Sequence, residues 1–546
     1  MVALPQLNGL DVPWTTIGQL VADRARTSPD REAVTFPDSG TVLTCADLDR
    51  RSDAVAASYA ELGVVKGDRV AALLLNSVEQ LVSWIAAAKL GAVAVMLNVS
   101  LRDRDLRHAL SVAAPSIVLV GRELADGYES ARSLSGRLLR EIIVGGERRG
   151  YLPFAELERR GDTDPPRVEV DPADPACVVF TGGTTGLPKG VIRPHFSYLC
   201  AGARYAQAFQ PTSADRHYSA GQLFHIGGQE SAFIGPLMNG VPTAISAWFS
   251  ASRFWPAVRR QRATIIEAVG SRIMLLLRQP TTPLDGTNDV RVALAGTRDI
   301  PPSARAEFAR RFGIPRLVEV YAMTETGSLL FFGDDESESR RFVLDSHGWC
   351  EARVTDARGV PSPPGHIGEI LLRPTVAHST SLGYLDDPAS TVERWRDLWV
   401  HTGDLGRLHP GGRLEFVGRQ AHWLRRRGEN VSALEVEQVL DDHPDVVESA
   451  IVATPSELGE DDLRAVVVPT ADRPGLAEEL FDWCERRLAY FKVPRFIELR
   501  SGPLPRTATK REIERHVIRD QAMTGAVERV PRNPRHRSAV ERTGNG

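Results

Sequence analysis

The chain has 546 residues, of which 66 are Lys or Arg and 70 are Asp or Glu, so its formal net charge is −4 at pH 7. Hydrophobic residues account for 42% and charged residues for 25%, a globular balance that excludes a chain disordered throughout. The length predicts two or more domains, and the near-neutral charge argues against a protein that binds nucleic acid or a membrane surface through its bulk charge.

The N-terminal part of the sequence carries no targeting or membrane signal. Residues 1–10 lack the basic start and apolar core of a signal peptide, so none is expected. The most apolar region, residues 70–99, is interrupted by polar side chains and predicts a strand at 70–75 followed by a buried helix, not an integral membrane segment. The five cysteines are far apart and form no CxxC pair, which predicts no zinc site or disulfide framework and fits a reducing, cytoplasmic setting.

Three short apolar runs further along the chain each end in a glycine-containing or polar loop. They are residues 177–180, 289–296 and 317–321. They lie among amphipathic helices, with Gly and Pro between the elements, which is typical of an α/β protein. Because ligands bind at the carboxyl ends of strands in such sheets, these loops are the predicted ligand site.

The composition changes after Gly418, where the sequence predicts a compact α+β module of about 100 residues with its own core. A helix is expected at 432–443, because Ser432 and Glu435 have the spacing of a capping box. The other predicted elements are strands at 450–453 and 465–468 and a helix at 476–490. The end of the chain, 521–546, is rich in Arg, Pro and Asn and predicts a disordered tail.

The strongest local signal is the run TGGTTGLPKG at residues 181–190. Its glycines allow a close approach of the backbone, its threonines add hydroxyl donors, and its lysine adds a positive charge, which together suit a polyphosphate. The alternative is a flexible turn between a strand and a helix. The candidate binding residues are Thr181, Gly182, Gly183, Thr184, Thr185, Gly186 and Lys189.

This run resembles the phosphate loop of the adenylate-forming superfamily, which comprises acyl-CoA synthetases, luciferases and the adenylation domains of peptide synthetases. Five further signatures similar to those of the family follow in the family's order. They are the segment 321–325 (YAMTE), the segment 401–404 (HTGD), Gly418-Arg419, the segment 427–430 (RGEN), and the segment 505–510 (PRTATK). The resemblance spans roughly residues 15–520, and the common order of the signatures argues against coincidence.

The resemblance implies an α/β fold with a large N-terminal AMP-binding domain, built from two stacked α/β subdomains and a β-barrel-like subdomain, and a small mobile α+β C-terminal domain. The implied boundaries are 1–418 for the large domain, 419–423 for a hinge and 424–520 for the small domain. It also implies a two-step reaction in which an acid attacks the α-phosphate of ATP and releases pyrophosphate, and a thiol, usually that of coenzyme A, then displaces AMP.

The resemblance also implies a role for each candidate residue. For ATP, the implied contacts are Thr181, Thr184, Thr185 and Lys189 with the β- and γ-phosphates, Tyr321 with adenine, Thr324 with the α-phosphate, and Asp404 with the ribose hydroxyls. Arg419 is implied to add a cationic contact to the ribose or the phosphate region. Glu325 is implied to hold Mg²⁺ against phosphate oxygens. His225 is implied to lie between the acid pocket and the thiol tunnel, and Gly428 to leave room for the pantetheine arm of coenzyme A.

The acid pocket itself is expected to be lined by residues that lack bulky side chains. Gly227 and Gly228 follow His225, and Ala293, Ala295 and Gly296 belong to another predicted strand. The expected pocket admits an acid wider than acetate, and the sequence does not identify it.

Two signatures depart from the family pattern. The last motif commonly reads Pro-Arg-Thr-x-Thr-x-Lys, and here Arg511 takes the lysine's place while Lys510 lies one residue earlier. Arginine is a rigid fork and lysine a compact point charge, so the catalytic cation is either Lys510 or Arg511. At the hinge, His422 stands where an aspartate is usual, although a pivot chiefly needs a backbone that changes conformation.

The leading hypothesis is therefore an ATP-dependent acid–CoA ligase that uses Mg²⁺, acts on a small-molecule acid and binds no nucleic acid. Three alternatives stay open: transfer to the phosphopantetheine thiol of a carrier protein, activation of a non-carboxylate acid such as nitrite for N–N bond formation, and a non-catalytic nucleotide-binding relative. The sequence does not give the oligomeric state.

Overall fold

The computed structural model describes residues 12–132, 137–159, 164–181, 187–269, 271–295, 302–334, 341–344, 349–410, 413–419, 423–426, 429–455, 461–490, 492–507 and 512–529. Within them the chain forms these strands, in order: β1 (Glu32–Phe36), β2 (Thr41–Thr44), β3 (Arg69–Leu73), β4 (Val93–Met96), β5 (Ile117–Gly121), β6 (Arg140–Val144), β7 (Leu152–Pro153), β8 (Pro175–Thr181), β9 (Lys189–Pro194), β10 (His217–Ser219), β11 (Thr243–Ile245), β12 (Ile265–Glu267), β13 (Val292–Leu294), β14 (Leu317–Met323), β15 (Gly327–Asp334), β16 (Arg341–Leu344), β17 (Cys350–Thr355), β18 (Ile367–Pro374), β19 (Gly383–Tyr384), β20 (Val400–Leu408), β21 (Arg413–Arg419), β22 (Trp423–Arg426), β23 (Glu429–Ser432), β24 (Val446–Pro455), β25 (Asp461–Pro469), β26 (Phe496–Leu499) and β27 (Val527–Glu528).

The α-helices of the same residues are α1 (Ile17–Thr27), α2 (Cys45–Glu61), α3 (Val78–Lys89), α4 (Asp103–Ala113), α5 (Ala125–Ala131), α6 (Phe154–Arg159), α7 (His195–Phe209), α8 (Gly235–Met238), α9 (Ala251–Arg260), α10 (Ser271–Leu277), α11 (Pro302–Phe312), α12 (Pro388–Arg394), α13 (Ala433–Asp441), α14 (Leu476–Arg487) and α15 (Arg515–Asp520). A π-helix at Gly228–Ile234 leads directly into α8.

The first sheet has eight strands among the described residues, in the order β19-β9-β8-β4-β3-β5-β6-β7. Strands β3 to β8 pair in parallel, while β8, β9 and β19 pair antiparallel at one edge. The predicted strand at 70–75 and the buried helix after it are confirmed as β3 and α3. Ser77 starts this helix by accepting the backbone N–H of Gln80, which satisfies one of the free donors of the first turn.

The second sheet continues from parallel into antiparallel strands and has the order β17-β18-β20-β21-β16-β15-β14-β13-β12-β10-β11-β1-β2 in the described part of the chain. Strands β14, β13, β12, β10, β11 and β1 pair in parallel. Strands β15, β16, β21, β20, β18 and β17 pair antiparallel. The antiparallel half corresponds to the predicted barrel-like subdomain, and it is hydrogen-bonded to the parallel half as one sheet. The predicted α/β architecture, with its large N-terminal part, is thus confirmed.

One hydrophobic core cluster contains side chains from both large sheets and from the helices beside them. Trp84 of α3 is a buried member of this cluster, with its ring 5.4 Å from that of Tyr198 and 5.8 Å from that of Phe233. Tyr321 of β14 belongs to the same cluster. The shared core therefore fixes the end of β14, which carries one of the predicted signatures, relative to the first sheet.

A separate core holds the predicted α+β module together, with strands β24 to β27 forming its sheet. The helix expected at 432–443 is confirmed as α13, and Ser432 caps it by accepting the Glu435 backbone N–H at 3.4 Å. The sheet extends past the boundary predicted at residue 520, because β27 pairs with β26. The segment expected to be disordered thus contains a strand at 527–528, and residues 530–546 lie outside the described residues.

All five cysteines are described, and each is buried and free of a disulfide: Cys45, Cys177, Cys200, Cys350 and Cys484. Burial raises the pKa of the Cys177 and Cys484 thiols to about 12. Among the described helices, none combines the length and the apolar character that a membrane span requires.

Candidate active site

The parallel strands of the second sheet end together at one edge, and two of the three predicted loops, those after β13 and β14, begin there. Strands β10, β12, β13 and β14 end at Ser219, Glu267, Leu294 and Met323. After β14 the chain turns tightly, with the Thr326 backbone N–H donating to the Met323 carbonyl at 3.1 Å, and returns as β15. This turn presents Thr324 and Glu325, both more than nine-tenths buried, at the carboxyl edge of the sheet.

The predicted phosphate loop joins two antiparallel strands, not a strand and a helix. Thr181 ends β8 and Lys189 begins β9, the two residues are Cα partners, and the Thr181 hydroxyl donates to the Lys189 carbonyl at 3.4 Å. Helix α7 starts only after β9. The prediction that this loop binds a polyphosphate therefore rests on its own N–H groups, hydroxyls and lysine, and not on a helix N-terminus. Gly182, Gly183, Thr184, Thr185 and Gly186 lie outside the described residues.

The Lys189 side chain is held over a segment that the sequence analysis did not single out. Its ammonium group donates to the Ser390 hydroxyl, lies 3.4 Å from Asp387 Oδ2, and is 5.4 Å from the centroid of the Tyr384 ring. Hydrogen bonds from Ser390, followed by the Lys189 charge, lower the pKa of Asp387. Lys189 therefore already has an anionic partner, and its side chain remains about half exposed.

Glu325 contacts the same segment. The Tyr384 hydroxyl donates to Glu325 Oε1 at 2.6 Å, and Arg394 Nη2 lies 3.9 Å from that oxygen. Burial, together with the Glu325 charge, raises the pKa of Tyr384, so this hydroxyl remains a donor. Burial disfavours the charged form of Arg394, but Glu325 and Tyr384 outweigh that effect and raise its pKa. Tyr384 thus connects the two predicted phosphate-site residues.

A local signal for this segment was present in the sequence. Asp387 is the N-cap of α12, accepts the Ser390 backbone N–H at 3.0 Å, and is followed by a proline at the first helical position. Such a pattern predicts the start of a helix. It does not predict that β19, immediately before it, pairs with β9 and brings Tyr384 beside Lys189.

The structure brings Tyr321 and Asp404 together across two signatures that are 83 residues apart in the sequence. The Tyr321 hydroxyl donates to Asp404 Oδ2 at 2.7 Å, and both side chains are buried. Arg419 is the Cα partner of Asp404 in the β20–β21 ladder, and its side chain lies outside the described part. A buried aromatic ring beside a carboxylate with two acceptor oxygens can take a nucleoside by stacking and by hydrogen bonds to hydroxyls.

The part of β20 that carries Asp404 has its own support. Glu369 of β18 accepts the Gly403 backbone N–H at 3.1 Å and contacts the His401 Nδ1 at 3.0 Å. Gly403 has φ +68°, a left-handed conformation that favours glycine. Glu369 is a second residue that sequence reasoning missed, because its contacts with Gly403 and His401 depend on the pairing of β18 with β20.

The predicted acid-pocket residues divide into two groups. His225 is partly exposed, its ring lies edge-on to Phe224 at 4.7 Å, and a Cβ added at the neighbouring Gly227 would meet nothing within 4 Å. At Gly228, however, an added Cβ would lie 2.2 Å from the Gln222 carbonyl oxygen. The expectation that Gly228 opens the pocket is therefore corrected: this glycine allows two backbone segments to touch.

The two alanines expected in the pocket are fully buried in a hydrophobic cluster with Trp255 and Phe308. Ala293 and Ala295 thus contribute to the core between sheet and helices, and Gly296 lies outside the described residues. A residue that the sequence analysis missed occupies this edge instead. Glu267, the last residue of β12, is almost fully buried and accepts hydrogen bonds from the hydroxyls of Ser219 and Ser231.

Glu325 fits the Mg²⁺ role in part. Its Oε1 accepts from Tyr384, and no described residue donates to its Oε2. Mg²⁺ is commonly held by one or two carboxylates together with substrate phosphates, so one carboxylate oxygen at this turn is compatible with it. In the described residues no group of three or more potential metal-ligating side chains exists, so an all-protein metal cage does not form there.

Four of the residues singled out in the remaining signatures lie outside the described part of the chain. They are the hinge residue His422, Gly428, and the two candidate catalytic cations Lys510 and Arg511. Arg506, which precedes the cations, forms an ion pair with Glu448 of β24. The last signature thus begins on the surface of the C-terminal module.

Comparison with known proteins gives a consistent result. A model of the AMP-binding enzyme family matches residues 21–385, and a model of the AMP-binding enzyme C-terminal domain matches residues 435–511. Crotonobetaine/carnitine–CoA ligases of Salmonella agona and Salmonella typhi are each 29% identical over 512 residues, covering 91% of this chain and 98% of the relative.

Solved structures are similar over almost the whole chain. The o-succinylbenzoate CoA synthetase of Bacillus subtilis, in complex with its acyl-adenylate intermediate, is 26% identical, has a TM-score of 0.79 and matches 92% of this chain and 98% of its own. An anthranilate CoA ligase in complex with anthranoyl-AMP has a TM-score of 0.83 at 24% identity and matches 94% of this chain and 98% of its own. This similarity shows that the two chains share a fold.

Proposed function

The chain belongs to the family of AMP-binding enzymes, and on that basis we propose that it is an ATP-dependent acid–CoA ligase. It adenylates a carboxylic acid, releases pyrophosphate, and then transfers the acyl group to coenzyme A. The named relatives support this assignment, since they are CoA ligases and the o-succinylbenzoate CoA synthetase holds its acyl-adenylate. The reducing, cytoplasmic setting belongs to the same proposal and is supported by the free, buried cysteines.

The observation that carries the proposal is the clustering of residues from distant signatures. Tyr321 and Asp404 share a hydrogen bond, and Lys189 and Glu325 both contact Tyr384. Tyr321 and Glu325 are only four residues apart at the end of β14. A nucleoside beside the first pair therefore directs its phosphates towards the second.

The proposed contacts with ATP follow from this arrangement. Tyr321 lies against adenine, and Asp404 accepts hydrogen bonds from the ribose hydroxyls, with Arg419 nearby on the paired strand. For the β- and γ-phosphates the proposed residues are Thr181, Gly182, Gly183, Thr184, Thr185, Gly186 and Lys189. To bind them, Lys189 exchanges its contact with Asp387 for the phosphate oxygens, which carry more negative charge.

The adenylation step requires positioning and charge stabilisation. A carboxylate oxygen attacks the α-phosphorus, the bond to the bridging oxygen of pyrophosphate breaks, and negative charge increases on the phosphate oxygens. Thr324 contacts the α-phosphate, and Lys510 or Arg511 places a positive charge between the acid and that phosphate. Glu325 is the proposed Mg²⁺ ligand, and bound Mg²⁺ supplies charge neutralisation at the phosphates.

The thiol step needs a second arrangement of the C-terminal module. We propose domain boundaries at 1–418 and 424–520 and a rotation about the hinge 419–423. After rotation, Gly428 replaces the cation of the last signature at the active site and leaves room for the pantetheine arm. The thiolate then attacks the acyl carbon, and AMP departs with the electron pair of the broken bond.

The acid is proposed to enter beside His225 and Gly227, where side-chain volume is small. Glu267 lies at the same edge, and a buried carboxylate there favours an acid that carries a hydrogen-bond donor or a positive charge over one with a second carboxylate. The acids after which the relatives are named differ in charge, from the carnitine type to o-succinylbenzoate. The test panel therefore pairs cationic, neutral and anionic acids of similar size.

The decisive experiment measures pyrophosphate release from ATP with each acid of the panel, with nitrite included, and then AMP formation with and without coenzyme A. Acid-dependent pyrophosphate release followed by CoA-dependent AMP formation supports the ligase. If coenzyme A does not stimulate AMP formation but a phosphopantetheinylated carrier protein does, the carrier protein is the acceptor. Release with nitrite alone identifies the nitrogen chemistry, and no release with any acid rejects the enzyme.

A further inference from the structure

The structure contains a buried ion pair directly beneath the turn that carries Thr324 and Glu325. Arg193 Nη2 lies 3.0 Å from Glu230 Oε1, and the two side chains are 0% and 2% exposed. We propose that Arg193 and Glu230 are positioning residues for adenylation, which hold the Thr324–Gly327 turn in register with the phosphate loop and the acid pocket. This inference rests on the adenylation reaction proposed above.

The first contact is with the turn itself. Arg193 Nη1 donates to the Thr324 carbonyl at 3.3 Å. A Cβ added at Gly327 would lie 2.5 Å from Arg193 Nη2 and 2.8 Å from Glu230 Oε1, so the turn rests directly on the ion pair. Gly327 also has φ +70°, which favours glycine for a second reason. The guanidinium thus contacts the turn at two points, the Thr324 carbonyl and Gly327.

The second contact is with the phosphate loop. Arg193 belongs to β9, four residues after Lys189, and its strand pairs with β8, which leads into the loop. A shift of Arg193 along or away from β8 therefore changes the distance between Lys189 and Glu325. Because misplacement of reacting groups by about 1 Å can cost on the order of a hundredfold in rate, small shifts here matter.

The third contact is with the acid side. Glu230 lies in the π-helix that begins at Gly228, three residues after His225. Its neighbour Gln229 fixes the same segment, because Gln229 accepts the Tyr198 hydroxyl at 2.5 Å and donates to the Leu223 carbonyl at 2.7 Å. A π-helix is a rare element that is frequently found at functional sites.

Stability alone does not account for this pair. Removing two charges from water costs free energy, and replacing a buried ion pair by apolar side chains of similar size is often neutral or stabilising. The guanidinium provides what an apolar pair does not: two donors in fixed geometry, one for Glu230 and one for the Thr324 carbonyl. The pair therefore connects three segments whose relative positions adenylation requires.

The test compares the double variant Arg193→Met/Glu230→Met with a matched control. The control is Arg464→Met/Glu498→Met in the C-terminal module, where Arg464 pairs with Glu498 at 2.6 Å, is 3% exposed and likewise donates to a backbone carbonyl, that of Gln521. Thermal unfolding and acid-dependent ATP–pyrophosphate exchange are measured for both, with KM for ATP and kcat separated.

The expected result is a decrease in exchange kcat of tenfold or more in the Arg193/Glu230 double variant, with KM for ATP changed less than threefold and a Tm close to that of the parent. The control is expected to keep its kcat. A double variant that folds and exchanges within twofold of the parent overturns the proposal. Exchange that falls equally in the control overturns it as well, because the effect then follows stability and not position.

A conservative variant keeps the test valid if the double variant does not fold. Arg193→Lys retains the charge next to Glu230, but its single ammonium group lacks the second fixed donor for the Thr324 carbonyl. We expect it to fold and to lose at least fivefold in kcat, and a parental kcat overturns the proposal. If the parent shows no acid-dependent exchange, the proposed function fails and the positioning role fails with it. If the parent exchanges and the variants exchange at the same rate, only the positioning role is rejected.

Discussion

Replacing Tyr384 by phenylalanine removes one oxygen atom from the centre of the proposed phosphate site. That hydroxyl donates to Glu325 Oε1 at 2.6 Å and accepts from Arg394 Nε at 3.1 Å. The aromatic ring beneath Lys189 stays in place, so the variant tests the hydroxyl alone. We expect Glu325 to lose its fixed orientation and Arg394 to move closer to it.

The size of the effect follows from the type of bond. A hydrogen bond to a charged group contributes about 1.5–3 kcal/mol, which corresponds to about a 10- to 100-fold change in a rate or binding constant. If Glu325 acts only in the adenylation transition state, this loss appears in the kcat of ATP–pyrophosphate exchange. If it also binds Mg·ATP in the ground state, KM for ATP rises by part of the same factor.

The chain offers a matched control for this variant. The buried Tyr128 hydroxyl donates to Glu141 Oε1 at 2.7 Å, and Arg132 pairs with the same carboxylate at 2.7 Å, in the first sheet and its helices. Tyr128→Phe removes the same type of bond from a Tyr–Glu–Arg group that is not part of the proposed site. Both variants should lower the Tm by a similar amount, and only Tyr384→Phe should slow exchange.

Equal exchange rates in the parent and in Tyr384→Phe, with the expected loss of Tm, would refute the reasoning. That result means that the orientation of Glu325 is irrelevant to adenylation, and the proposed metal role would have to be given up. A loss in both tyrosine variants means that exchange reports general stability, which removes the argument from position.

Three further predictions follow from single residues. Asp404→Asn should raise KM for ATP about tenfold and leave KM for the acid unchanged, because a charged acceptor for the ribose is lost. Equal increases in both KM values would contradict the assigned role. Gly403→Ala and Gly359→Ala each place alanine at a left-handed φ, +68° and +78°, where the added Cβ meets no other atom within 4 Å. Both variants should therefore lose about 1 kcal/mol of stability, and only Gly403→Ala should raise KM for ATP. Burial lowers the pKa of His217 from 6.5 to about 4, so the folded protein favours the neutral ring: its contribution to stability is complete above pH 6.5 and declines by about 3 kcal/mol as the pH falls to 4. Denaturant unfolding at several pH values should show a shallower decline for His217→Asn, and an unchanged decline would contradict the assignment.

The sequence was informative where function depends on short contiguous segments. Thr324 and Glu325 follow an apolar run that becomes β14, so this signature could be placed at a strand end from the sequence. The signature that contains Asp404 could be recognised but not placed in the fold, and it lies inside β20, after a left-handed glycine. The connection after the phosphate loop was less clear. The segment 189–194 is short and contains two residues with charged side chains, and only its pairing with β8 makes it a strand.

Contacts between distant segments could not be predicted in this way. Lys189 and Ser390 are 201 residues apart, and their contact depends on the pairing of β9 with β19, two short strands without a distinctive pattern. Glycine positions were ambiguous for a related reason. Gly227 faces open space while Gly228 touches the Gln222 backbone, and the sequence shows two identical neighbours.

Because the cysteines are distributed over both parts of the chain, their reactivity can be used to measure local unfolding of each part. Four thiols lie in the large N-terminal part and one, Cys484, in the core of the C-terminal module, and all are buried. A thiol-specific reagent reacts with such groups only when the surrounding structure opens. Mass spectrometry after timed alkylation therefore separates the unfolding of the module from that of the rest of the chain without any engineered label, and saturating ATP should slow modification at Cys177, beside the phosphate loop, more than at Cys484.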